Sequence, residues 1–126
     1  MFEVFLVGVG GFIGSIARYL VYLTIRTHLI HSLPLGTLLV NTAGCLVLGF
    51  VSGIERYTLF LQRPMLVFLT VGLIGGFTTF SAFSFETIAF IRTHQYGFAL
   101  LNIFCNLILG FGALLLGQWV GGHSLR

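Results

Sequence analysis

Lysine is absent from this chain, and charge of either sign is scarce: six arginines and three glutamates among 126 residues. A soluble domain carries about 25% charged residues to dress its surface for water, and 7% cannot do that. A soluble globular enzyme is therefore excluded, and the 57% hydrophobic content excludes a disordered chain. Cysteine is nearly absent as well. Cys45 and Cys105 lie in different apolar stretches and read as small apolar residues, not as a disulfide scaffold or a metal site. Paired carboxylates are missing, and no Ser/His/Asp or Cys/His arrangement is present, so the chain does not read as an enzyme. His28 and His31, three apart in the first loop, lack a third metal ligand, and His94 and His123 fall near span ends. A net charge of +3 offers no nucleic-acid patch. Gly8, Gly10, Gly11 and Gly14 imitate a dinucleotide-binding turn, but the spacing is wrong and no strand precedes them.

The few charges mark out a membrane. Residues 27–54, 64–85 and 93–125 are uncharged runs of 28, 22 and 33 positions, and about 20 apolar residues suffice to cross the hydrocarbon core. The stretch 4–25 is equally apolar apart from Arg18. It is unlike a signal peptide, because it opens on Glu3 instead of a basic segment and is too long. The pattern predicts an all-α membrane protein, a single domain over 1–126 with four transmembrane helices at roughly 3–26, 35–54, 64–92 and 96–120. Pro34 and Pro64 stand where the second and third helices begin, a position proline tolerates. Short connections make sequential helices antiparallel and put both termini on one side.

Orientation is weakly specified. Arg56, Arg63 and Arg126 flank one side, and Arg26 and Arg92 the other. Arginine bias near span ends sets topology. So even a balance leaves two readings: one arginine decides, or the chain inserts both ways and pairs with an inverted copy. Each predicted span also holds two glycines four apart: Gly10 and Gly14, Gly49 and Gly53, Gly72 and Gly76, Gly117 and Gly121. Helices in lipid associate by close approach at small residues, so four such pairs predict a compact bundle. Whether they act within a chain or between chains is open. A bundle this small fills its own centre, which pushes any conduction path to an interface between chains.

Polar residues inside the spans are the site candidates. Arg18 either snorkels to the headgroups or serves a function. Glu86, near the end of the third run, either marks the interface or lines a vestibule. Asn41 either donates its amide to an anion or joins helices. Asn102 and Asn106 stand at i and i+4, with Gly110 continuing that face, as a wet track or as glue between helices. The segment Gly75-Gly76-Phe77-Thr78-Thr79-Phe80-Ser81-Ala82-Phe83-Ser84 falls in mid-span, where poor helix formers predict a break. A break there must be covered by protein or a cavity. It frees carbonyls for a hard cation and N–H groups for an anion. Phe80 and Phe83 share a face, and aromatic ring edges are positive. On composition alone the plainer reading is a kinked packing helix with core phenylalanines.

Three segments together resemble the Fluc (CrcB-type) fluoride channels, over essentially the whole chain. They are Gly10-Gly11-Phe12-Ile13-Gly14 with Arg18-Tyr19; Gly36-Thr37-Leu38 with Val40-Asn41 and Gly44; and Gly75-Gly76-Phe77-Thr78-Thr79-Phe80-Ser81-Ala82-Phe83. The resemblance implies an antiparallel, dual-topology homodimer in the inner or plasma membrane, embedded in lipid, with two fluoride pathways; passive efflux follows from the lack of a nucleotide-binding motif and of a carboxylate deep in a span. It implies a structural sodium ion held by the backbone carbonyls of Gly75 and Thr78 from both subunits, and no organic cofactor. It assigns the pathway to Phe80, Phe83 and Asn41, with Arg18 near the vestibule and a polar track at Asn102, Asn106 and Gly110. Ala82 and Gly110 depart from the family pattern, where hydroxyl residues are usual. Asn41, Thr79 and Ser81 supply neutral donors that can replace fluoride's water without holding the ion too tightly to release it. Two rival readings are a small dual-topology multidrug exporter, which needs a carboxylate inside the first helix, and a membrane subunit that only packs.

Overall fold

The computed structural model describes residues 1–28, 34–56 and 62–124, the side chains of 26–28 excepted. His31 and Arg126 and the side chains of Arg26 and His28 therefore lie outside the described residues. Helix α1 spans Phe2–His28 and α2 spans Leu35–Glu55. The third span begins as α3, Arg63–Val67, with Pro64 in its first turn. It continues without interruption through π-helical turns at Phe68–Ile74 into α4, Gly75–Phe77. Thr78 and Thr79 are then extended (φ −80°, ψ 160° and φ −152°, ψ 120°) before α5, Phe80–Arg92. After a short turn with His94 at φ 58°, α6 runs over Tyr96–His123. Four stretches, Phe2–Ile25, Leu35–Glu55, Arg63–Arg92 and Tyr96–His123, are long and apolar enough to cross a membrane.

The break is not where glycine content alone would put it. Gly75 and Gly76 stay helical, and the chain departs only at the two threonines. The reason is packing. A Cβ on Gly76 would stand 2.7 Å from the Gly11 carbonyl oxygen, so this glycine serves close approach to α1 and not flexibility. The threonines are β-branched and fit an extended backbone. Thr79 then caps α5, its Oγ1 accepting from the Ala82 N–H at 3.2 Å.

All four glycine pairs are consumed inside one chain. A Cβ on Gly10 would meet the Gly72 Cα at 2.9 Å, and one on Gly14 the Leu73 carbonyl oxygen at 2.1 Å. A Cβ on Gly49 would meet the Leu114 oxygen at 2.1 Å, and one on Gly117 the Leu46 oxygen at 2.2 Å. Two seams result, one between the first and third spans and one between the second and fourth. In both, rising residue numbers meet rising residue numbers, so the paired spans run parallel. That is what strict alternation of direction across four spans requires. Between the seams the apolar core is thin. Val40, Val51, Ile74 and Ala99 are the buried apolar side chains among the described residues. The expected tightly filled bundle is thus two backbone-to-backbone helix pairs, with polar groups among the contacts that bridge them.

Candidate functional site

Those polar groups converge on the break. Ending α4 at Phe77 strips the last carbonyls of their donors. Thr78 N–H still reaches Ile74 O (2.9 Å). The next N–H, that of Thr79, turns away from the helix axis and donates to Asn41 Oδ1 at 2.8 Å. Asn41 Nδ2 donates in return to Thr79 O (3.1 Å) and to Asn106 Oδ1 (3.0 Å). One amide from α2 therefore replaces the missing helical turn and ties the break to α6. Asn106 Nδ2 donates to the backbone oxygen of Asn102 (3.0 Å) and to its Oδ1 (2.9 Å). The buried Asn102 donates to Thr87 Oγ1 (3.0 Å), which donates to Phe83 O (2.8 Å). The chain of bonds thus leaves α5, crosses to α6 and returns to the break.

Beside this network lies a cavity of about 270 Å³. It is open on one side and lined by Asn41, Thr78, Thr79, Phe80, Phe83 and Asn106, with apolar groups that include Ile74 and Leu107. The Phe80 and Phe83 rings stand with centroids 5.6 Å apart, tilted by 51°. Phe80 is 77% exposed on the single chain. Ser81 is exposed, its Oγ 3.1 Å from Thr79 Oγ1. Gly110 is buried near Cys45 Sγ, which leaves no hydroxyl on that part of the α6 face.

Arg18 stands apart from this lining. The α1 seam places it one turn beyond Gly14, across the end of α4, where its Nη1 donates to Thr78 O at 3.1 Å. A second cavity, of about 360 Å³, opens at one end of the spans between Tyr19, Tyr22, Thr37 and Glu86. There Thr37 Oγ1 donates to Glu86 Oε1 and sits 3.1 Å from the Tyr22 hydroxyl. Glu86 therefore lines a recess, the second of its two sequence readings. Thr37 enters the sequence reading only within its second-helix motif, and Thr87 not at all, although each carries a signal. Thr37 lies four before Asn41, and Thr87 four after Phe83, so each shares a helix face with a residue already singled out. Among the described residues no group of three His, Cys, Asp or Glu side chains could hold a metal.

The sequence model of one family, described as CrcB-like protein, Camphor Resistance (CrcB), matches residues 5–118. Three similar relatives are each named fluoride-specific ion channel FluC. That of Chlorobium chlorochromatii is 42% identical, covering 95% of both chains. That of Parabacteroides distasonis is 41% identical, covering 99% of this chain and 97% of its own. That of Pyrococcus furiosus is 43% identical, covering 91% of this chain and 92% of its own.

Proposed function

From the premise that this chain belongs to the CrcB-like family, as a multi-pass membrane protein, we propose that it is a fluoride-selective channel working by passive efflux. The observation that carries this reading is the cavity at the break. The Asn41 amide, the Thr79 hydroxyl and the rings of Phe80 and Phe83 meet there with no charged side chain in the lining. Fluoride gives up strongly bound water only to well-placed donors. Neutral donors and ring edges replace that water and still release the ion. Both Asn41 amide protons are committed to Thr79 and Asn106. A passing anion therefore competes with an acceptor for one of them, which limits how tightly it is held. The recess at Tyr22, Thr37 and Glu86 supplies a polar approach from one end.

The working unit is an antiparallel homodimer. Gly75 is exposed on the single chain, and Thr79 N–H no longer caps its carbonyl. A backbone group freed in mid-span must be covered by protein. A second chain covers it and the exposed face of Phe80. Neutral carbonyls of Gly75 and Thr78 suit a hard monovalent cation. Two oxygens per chain are too few for one, and a twofold copy doubles them. A sodium ion held there would add a positive field beside the anion path without lining it. The exporter reading lacks support. The one acid of the first span, Glu3, sits at its start and pairs with Arg63 at 3.0 Å.

Two measurements test the proposal. Purified protein in liposomes should release fluoride rapidly without a proton gradient or nucleotide, followed with a fluoride electrode. Phe80→Ile should slow release about two- to tenfold, the worth of one aromatic contact of about 0.5–1.5 kcal/mol. Undiminished flux in that variant removes the rings from the path. A reporter on the C-terminus should be detected on both faces of the membrane in comparable amounts. Signal on one face alone rules out dual insertion.

A further inference from the structure

Resting on the sodium reading above, we propose that Arg18 is a positioning residue that sets the break and, by its charge, weakens cation binding there. The Thr78 carbonyl is the oxygen that both groups need. Arg18 Nη1 donates to it at 3.1 Å, which occupies one of its two lone pairs and leaves the other for a cation. Among the described residues no carboxylate pairs with Arg18, the ion pair there being that of Arg63 with Glu3, so its charge is not neutralised in place. The geometry is that of a cation at a helix C-terminus. α4 ends at Phe77, its last carbonyls carry the negative end of the helix dipole, and Arg18 reaches across that end. The Gly14 contact with Leu73 and Phe77 holds the α1 backbone against the end of this span, which brings Arg18 within reach of the carbonyl.

Two consequences of opposite sign follow. The hydrogen bond orients the Thr78 peptide and favours the extended break. The charge sits one oxygen away from any cation bound there and repels it. A neutral side chain of similar length therefore loosens the break yet tightens the cation site. A residue with a merely structural role would do only the first.

The test uses purified full-length protein, with the melting temperature followed as sodium replaces N-methyl-D-glucamine at constant ionic strength. In R18Q the half-saturating sodium concentration should fall at least about tenfold, the lower end of what one neighbouring charge does to an ionic equilibrium. R18K keeps the charge and should stay near the wild-type midpoint. An unchanged or higher midpoint in R18Q overturns the proposal, as does equal tightening in R18K and R18Q. Arg18→Met provides a second neutral variant. If neither neutral variant folds at any sodium concentration, the charge is needed for the break itself and the tuning role is refuted. A wild-type protein with no sodium response overturns the sodium reading and this proposal with it. A wild-type response without tightening in R18Q overturns this proposal alone.

Discussion

Asn41→Asp should reduce fluoride release from liposomes by about a hundredfold while leaving the protein folded. The replacement has nearly the same shape, and its retained Oδ1 still accepts the Thr79 N–H. What changes is the other end of the group. The two donations to Thr79 O and Asn106 Oδ1 are lost, and a carboxylate oxygen faces two acceptors. An entering anion loses the N–H that could donate to it, a charge-assisted bond of about 1.5–3 kcal/mol, and meets a negative charge on the cavity wall. Together these set about 3 kcal/mol against it, and every 1.4 kcal/mol is tenfold. The measurement is the initial rate at a fluoride electrode, with elution as a single symmetric species confirming the fold. An Asn41→Asp rate equal to that of the parent would remove this amide from the pathway and leave it as glue between α2, the break and α6.

The second large effect is on stability. Gly14→Val should abolish recovery of folded protein, and Gly14→Ala should destabilise it by about 1–3 kcal/mol or more. An added Cβ would stand 2.1 Å from Leu73 O and 2.8 Å from Phe77 N, and backbone atoms cannot swing aside as a side chain would. Gly117→Val should fail in the same way, against Leu46 O at 2.2 Å. Gly112 provides the control. Nothing lies within 4 Å of its added Cβ, so Gly112→Ala should be neutral or stabilise by about 0.5–1 kcal/mol through helix propensity. Thermal unfolding in detergent separates the cases. A Gly14→Ala variant as stable as Gly112→Ala would mean that the first seam is looser than described.

The spans were legible because a membrane demands unbroken apolar length, and nine charges leave few places to put the ends. The expected start at 35 and the turn before 96 coincide with α2 and α6. The partners of the glycine pairs were not legible. Spacing shows that Gly10 and Gly14 offer a groove, but not that Gly72 and Gly76 fill it, because any of four similar stripes would fit. The break was legible as a region, Gly-Gly followed by Thr-Thr, but not which of the four residues would leave the helix. Gly75 and Gly76 stay helical, Gly76 pressed against Gly11 of α1, while Thr78 and Thr79 carry the extended backbone. Asn41, Asn102 and Asn106 stood out because amides in apolar helices are costly. Their order in one hydrogen-bonded relay depends on helix rotation, which a pattern of residue types does not specify. Arg18 was legible as an anomaly, and its acceptor, 60 residues away, was not.

The parallel seams also impose an order on synthesis. Gly10 meets Gly72 and Gly49 meets Gly117, separations of 62 and 68 residues, so each helix is made well before its partner. At ribosomal rates of ~5–20 residues per second, the wait is roughly 3–14 s. During that interval the groove of α1 lies open to lipid and to any other nascent chain nearby. The neighbour that arrives first, α2, presents a groove of its own and must not fill it. Correct biogenesis therefore requires that the grooves of α1 and α2 stay unfilled by each other until their later partners have been made.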